Sequence, residues 1–352
     1  MNLKFRKLLF AALVIFIILF PIWYFAFGPK EMIPEGGYNN GENAIWLEHE
    51  WVENQKSVKE IGELVSKFGD NRIKYVFMHV GPVESNGTIP AERFKYAQDF
   101  LRIARVYGDK IKYLAWMGQV RSKIDLANPV IRFKTVQTAQ AIIEETGFDG
   151  IHYDMEPIYE NDSDFIFLLE STKSKIEKNK ILSVAINEMI PGFAGKIFKL
   201  WKPNAAPMTE DTYRKIAQNA DQIAVMTYEN GISKPWLYRY FLKNEIIWLT
   251  RAIDSGGTAD AGGTAGAASA SGVLDAGGTA GAGGAKKILV GIPTYEKGIN
   301  AEAENIENGL LGIIDGLQNA RSRKESFLGV AIYINKETSA KEWGIYKKLW
   351  MR

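Results

Sequence analysis

Beyond residue 43 the chain alternates eight times between two kinds of segment: a short run rich in Ile, Val, Tyr and Phe, and a longer stretch whose apolar residues recur at helical spacing. That rhythm constrains the fold more than any single motif. The strand-like runs are 44–51, 73–80, 111–120, 150–157, 181–189, 222–229, 288–295 and 328–335. The helical patterns that follow them are 58–68, 91–107, 129–146, 163–178, 210–219, 235–253, 301–320 and 340–350. The runs are apolar on both faces, as strands of a parallel sheet covered on both sides must be. Eight such units predict an α/β fold, a TIM (β/α)8 barrel spanning 44–352. An open doubly wound sheet would alternate in the same way, but it needs a glycine-rich phosphate loop after an early strand. No such loop is present.

The first 27 residues do not belong to that rhythm. Lys4, Arg6 and Lys7 precede an uncharged segment, 8–27, and Trp23 and Tyr24 lie near its far end. About 20 apolar residues suffice to cross a bilayer as a helix, and aromatic residues favour the interface. Pro21 would kink a soluble helix but is tolerated in a membrane span. A cleaved signal peptide is the rival, yet the run exceeds a signal core and no small-x-small cleavage site follows. The expectation is therefore an uncleaved signal-anchor at 1–27, a single-pass contact with the lipid bilayer through residues 8–27, and a barrel held outside the cytoplasm. Basic residues before the span set that orientation. Residues 28–43, with glycine, proline, asparagine and no periodicity, read as a tether.

Residues 255–285 are nearly all Gly, Ala, Ser, Thr and Asp, and they repeat Asp-Ala-Gly-Gly-Thr-Ala-Gly-Ala from Asp260 and again from Asp275. Such a segment has too little apolar area to order itself. It joins the sixth helix to the seventh strand, on the barrel face away from catalytic groups, and reads as an insertion without a chemical role. Other function classes fall away on composition. With no cysteine, thiolate catalysis and cysteine metal sites are out. A net charge of +2, without a long basic run beyond the N-terminus, argues against nucleic acid as a partner.

Chemistry concentrates on the fourth strand, where Asp149, His152, Asp154 and Glu156 interrupt an apolar run. A period of two puts His152, Asp154 and Glu156 on one face. Burying carboxylates is costly, so the pair marks a site or else sits hydrated at the strand end. The run Asp149-Gly150-Ile151-His152-Tyr153-Asp154-Met155-Glu156 resembles the Asp-x-x-Asp-x-Asp-x-Glu motif of glycoside hydrolase family 18, which includes chitinases and endo-β-N-acetylglucosaminidases. Val225-Met226-Thr227-Tyr228-Glu229 is similar to that family's Met-x-Tyr-Asp on strand six. Val290-Gly291-Ile292-Pro293-Thr294-Tyr295 is similar to its strand-seven Gly-Ile/Leu-Pro-x-Tyr. All three fall on strands of matching number.

The resemblance implies a retaining hydrolase that cleaves β-linked N-acetylglucosamine-containing glycans without a cofactor. Glu156 would be the general acid, Asp154 would orient the substrate's acetamido group, and Tyr228 would hydrogen-bond the acetamido carbonyl. Asp149, His152, Met226, Glu229, Tyr295, Tyr333 and Trp116 would make up the surrounding sugar site. His152 replaces the family's middle aspartate; its imidazole would bond Asp154, and its cation would lower the pKa of both acids. Glu229 replaces an aspartate, and Tyr333 stands where a tryptophan commonly floors the sugar. The short passage from strand seven to its helix implies a shallower, more open cleft, which favours an endo-acting or accessory hydrolase over a processive chitinase. Two other readings stay open: a lectin-like barrel without turnover, and a metal-dependent hydrolase using His49, His79 and His152. The histidines form no His-x-His pair. Trp46, Trp51 and Trp116 would either stack on sugar or pack the barrel, while Asn187 and Glu188 would either touch substrate or cap a helix.

Overall fold

A computed structural model describes residues 37–189, 208–254 and 287–352. Eight strands close into a parallel barrel in the order β1-β2-β3-β4-β5-β6-β7-β8. They are β1 Asn43–Leu47, β2 Ile73–Pro82, β3 Lys112–Val120, β4 Gly150–Glu156, β5 Ile181–Asn187, β6 Gln222–Met226, β7 Ile288–Pro293 and β8 Phe327–Tyr333. The outer helices follow their strands as α1 Val58–Asp70, α2 Ala97–Tyr107, α3 Pro129–Thr146, α4 Ser163–Lys175, α5 Glu210–Asn219, α6 Pro235–Asp254, α7 Ile306–Gln318 and α8 Ala340–Trp350. The expected barrel is present. The uncharged run 8–27 and the insertion 255–285 lie outside the described residues. Among the described residues, no helix is long and apolar enough to cross a membrane.

Local chemistry sets the helices that begin where the pattern predicts. The Asn128 side chain accepts from Val130 N–H, Pro129 occupies the first helical position, and Gly147 ends α3 at φ +83. These are the standard start and stop devices. Capping boxes, Ser57 with Glu60 and Ser339 with Glu342, open α1 and α8. Departures occur where distant backbone intervenes. The stretch 91–107 is not one helix, because Tyr96 N–H bonds Val52 O across to another element at 2.9 Å. Ala91–Phe94 therefore forms a separate 3-10 turn, and α2 starts only at Ala97. Likewise β1 stops at Leu47, because Glu50–Glu53 turns helical to bury Val52.

Alternation along the strands makes two cores. Outward residues such as Ile45, Val76, Ile151, Tyr153 and Val225 pack beneath the helices. Inward residues Trp46, Tyr75, Phe77, Leu114, Trp116 and Leu289 fill the barrel. A third small cluster, Ala185, Met226 and Tyr228 against Tyr295 and Tyr333, closes the end where strands meet their following helices. That end is where a barrel places its chemistry.

Strand β4 is held close to its neighbour. A Cβ on Gly150 would lie 2.0 Å from the Ile181 carbonyl oxygen and 2.8 Å from the Ile181 nitrogen. Both atoms are backbone, and neither can swing aside without parting β4 from β5. Gly150→Ala is expected to destabilise the barrel by at least the upper part of the about 1–3 kcal/mol typical of overpacking. A urea midpoint equal to wild type would show that the strands part freely.

Candidate active site

Strand β4 carries its acids up the barrel wall to the mouth. His152 is fully buried in the interior, and Asp154 and Glu156 follow at the same period of two. Asp154 and Glu156 line a cleft of about 290 Å³ with Trp46, Asn187, Glu188, Met226, Tyr228, Glu229, Asn230 and Tyr333. Residues from β4, β6 and β8, far apart in sequence, thus meet at one opening. Tyr228 lies nearly parallel to Tyr333, with ring centroids 5.2 Å apart, and edge-on to Tyr295 at 6.0 Å.

The two acids are not equivalent. Trp116 Nε1 donates to Asp154 Oδ2 at 2.9 Å. Asp154 Oδ1 is buried and receives no hydrogen bond from an amide, hydroxyl or cation among the described residues. The Asp154 carboxyl shares a hydrogen bond with the Glu156 carboxyl, and that bond requires a proton on one of the two acids. Burial raises the pKa of both. For Asp154, the bonds from Glu156 and Trp116 oppose that rise. For Glu156, the Asp154 charge, the shared bond and the charges of Glu229 and Glu188 add to burial and push it up to about 8. Asp154 therefore keeps the charge and Glu156 keeps the proton. At neutral pH this is an acid ready to protonate, oriented by a neighbouring carboxylate.

A family profile, glycosyl hydrolases family 18, matches residues 53–348. The chain belongs to glycosyl hydrolase family 18. Solved structures agree on the fold. The Bacillus cereus spore cortex-lytic enzyme SleL superposes with a TM-score of 0.55 at 12% identity, over 90% of this chain and 76% of that one. A class V chitinase from Pseudomonas fluorescens Pf-5 gives 0.55 at 12%, over 87% of this chain and 98% of that one. A mutant family 18 chitinase from Cycas revoluta in complex with (GlcNAc)4 gives 0.54 at 11%, over 88% and 99%. No curated protein matches the chain in sequence.

Within this family 18 barrel, several motif residues sit differently from expectation. His152 does not bond Asp154. Its Nε2 accepts from Trp46 Nε1 at 3.1 Å, its Nδ1 pairs with Ser183 Oγ at 2.9 Å, and its ring stacks on Phe77 at 3.8 Å. Burial pushes its pKa down to about 3, so the expected cation is absent at neutral pH and His152 is a neutral, enclosed strut. Asp149 lies at the opposite end of β4, just before the strand begins. There it accepts from Tyr113 N–H at 3.0 Å and from Lys112 Nζ at 3.2 Å, which ties β3 to β4 and leaves it away from the cleft. Trp116 gives its N–H to Asp154 and so holds the acid in place. Trp46 packs the barrel with its N–H given to His152, and Trp51 packs edge-on against Phe100 in the outer layer. Met226, Tyr228, Glu229 and Tyr333 line the cleft as the motifs suggest, and Tyr295 stands behind them, its hydroxyl on Glu229 Oε1 at 2.6 Å.

The metal-dependent reading finds no ligand set. Among the described residues, no three His, Asp or Glu side chains are grouped to hold an ion. His49 and His79 approach with ring centroids 6.0 Å apart, and burial, His49 and Arg93 together push His79 down to about 4. One residue that shapes the wall of the cleft was not foreseen at all. Glu304, in the loop before α7, is 1% exposed and bonds the turn that carries Glu229. Its only local signal was an acid ahead of a helix, which is common at helix starts.

Proposed function

We propose that the chain is a retaining glycosidase that cleaves β-linked N-acetylglucosamine-containing glycans by substrate assistance. Glu156 gives its proton to the glycosidic oxygen as the bond to the anomeric carbon breaks. The acetamido carbonyl oxygen of the same sugar forms the new bond to that carbon, yielding an oxazolinium ion. Asp154 bears the negative charge that orients and stabilises the acetamido N–H, and the Tyr228 hydroxyl donates to its carbonyl oxygen. Glu156, now a carboxylate, takes a proton from water as that water opens the oxazolinium ion from the other face. Two inversions leave the configuration unchanged, and Glu156 regains its proton.

The observation that carries this reading is the convergence of Asp154, Glu156 and Tyr228 on one cleft, with Trp116 Nε1 bonded to Asp154 Oδ2 at 2.9 Å. The class of glycan is supported by the (GlcNAc)4 bound by the Cycas revoluta chitinase and by the cortex-lytic action in the name of the Bacillus cereus enzyme. Chitin oligosaccharides, peptidoglycan and glycoprotein glycans share the required 2-acetamido group. The uncharged run 8–27 behind a basic N-terminus supports a membrane-anchored barrel facing away from the cytoplasm. Residues 29–352 incubated with N-acetylglucosamine oligomers are expected to release β-anomers first, read by proton NMR before mutarotation. Release of α-anomers would exclude substrate assistance, and binding without release would place the chain among glycan-binding barrels.

A further inference from the structure

Glu229 occupies an unusual conformation for a residue with a side chain. Its φ is +62, in the left-handed region where a Cβ is disfavoured. Such a conformation persists only when surrounding contacts over-determine it. Asn230 Oδ1 accepts from Ile232 N–H at 3.1 Å within the turn, and one side chain from outside it holds three of its amides. Glu304 Oε2 accepts from Glu229 N–H at 2.7 Å, and Glu304 Oε1 accepts from Gly231 N–H at 3.0 Å and Ile232 N–H at 3.2 Å. Three amides of the 229–232 turn thus converge on a carboxylate that reaches across from the loop before α7. The turn they form sends the Glu229 side chain to the Tyr295 hydroxyl and to the wall of the cleft that also holds Glu156.

We propose that Glu304 is a positioning residue: by gripping the 229–232 turn it holds the Glu229 carboxylate in the wall of the cleft that Glu156 also lines. The assignment rests on the hydrolase reading of Glu156 for its meaning, and on the hydrogen bonds alone for its geometry. The groups facing Glu156 are Asp154 on its own strand, Glu188 after β5, Tyr228 and Glu229 after β6, and Tyr333 at the end of β8. Among the described residues, Glu229 is the carboxylate whose own N–H, together with those of Gly231 and Ile232 in its turn, a second acid accepts. Glu304 does not itself act on Glu156; it acts on Glu229 and Tyr295. A longer acid on a left-handed residue would otherwise swing out to solvent, and its repulsion of Glu156 would fade with distance and screening.

The test compares wild type, Glu304→Gln, Glu229→Gln and the double variant in the 29–352 chain. Carbon-13 NMR of the glutamate carboxyls follows the titration of Glu156 directly, without any substrate. Both single variants are expected to lower the Glu156 titration midpoint, and the double variant is expected to match Glu229→Gln, since coupled residues fail to add. With an N-acetylglucosamine oligomer, Glu304→Gln should lose about tenfold in kcat/KM, as misplacement away from the reacting bond does, and the basic limb of its pH profile should move to lower pH. Should Glu304→Gln fail to fold, Glu304→Asp keeps the charge, shortens the reach and carries the same titration. A Glu156 midpoint unchanged in the Glu304 variant, or additive effects in the double variant, overturns the proposal. Absence of wild-type turnover with the NMR shifts intact would instead remove the hydrolase reading and leave the positioning role standing.

Discussion

Glu156→Gln is expected to reduce hydrolysis of N-acetylglucosamine oligomers by about 10²–10⁴-fold, the range a positioned general acid contributes. The amide fills nearly the same volume and can still donate to the Asp154 carboxylate, so folding and oligomer binding should survive while protonation of the leaving oxygen does not. The direction of the pH dependence follows from the same residue. An acid catalyst works only while protonated, and burial, Asp154, Glu229 and Glu188 push the Glu156 pKa up to about 8. Wild-type kcat/KM should hold through neutrality and fall as pH rises past about 8. On the acidic side it should fall once Asp154, itself raised by burial, takes up a second proton and the pair loses its charge. A glutamine variant as active as wild type would sink the assignment of the acid. A wild-type profile falling through pH 5 on its basic side would show that Glu156 lies in water rather than against Asp154.

The barrel was legible because its cues are local or periodic. Asn128, Pro129 and Gly147 bound α3 by chemistry contained within the helix itself, and α5 and α8 likewise run over the predicted residues. Asp154 and Glu156 share a face by simple alternation, and the closed eight-strand order brings Tyr228 to them. What was not legible depends on groups far away in the chain. The break before α2 follows from Val52 O, 44 residues upstream of Tyr96, and no pattern around Pro90 announces it. The late start of α7 frees Glu304 to turn toward the Glu229 turn rather than lie in the helix. The resemblance placed His152 beside Asp154, where its charge would have mattered to both acids. Its charge is decided instead by Phe77, Trp46 and Ser183, which come from three other strands.

That enclosure leads to the second large effect: restoring the family's aspartate by His152→Asp should damage the barrel rather than improve it. The site is completely buried, with one N–H pointing in from Trp46 and one hydroxyl from Ser183. A neutral imidazole meets both partners and stacks its full face on Phe77. A carboxylate there would lose hydration, leave space beside Phe77 and bring a second negative charge toward Asp154. Burying an uncompensated charge of this kind costs about 3–5 kcal/mol, a sizeable part of a domain's whole stability. The sign of its pH dependence is distinctive. Desolvation would raise the folded-state pKa of the new carboxyl above its unfolded value, so the loss should be small in acid and grow as pH rises through that interval. His152→Leu isolates the polar part of the same site: it keeps most of the volume but orphans the Trp46 N–H and the Ser183 hydroxyl, at about 1–3 kcal/mol per buried group. Its loss should not follow the pH course of the aspartate variant. Urea unfolding of both variants at two pH values reads the difference. Wild-type stability in His152→Asp at neutral pH would mean that the interior admits water or a counter-charge, and that the neutral strut between Trp46 and Ser183 is not what this family 18 barrel requires at the position.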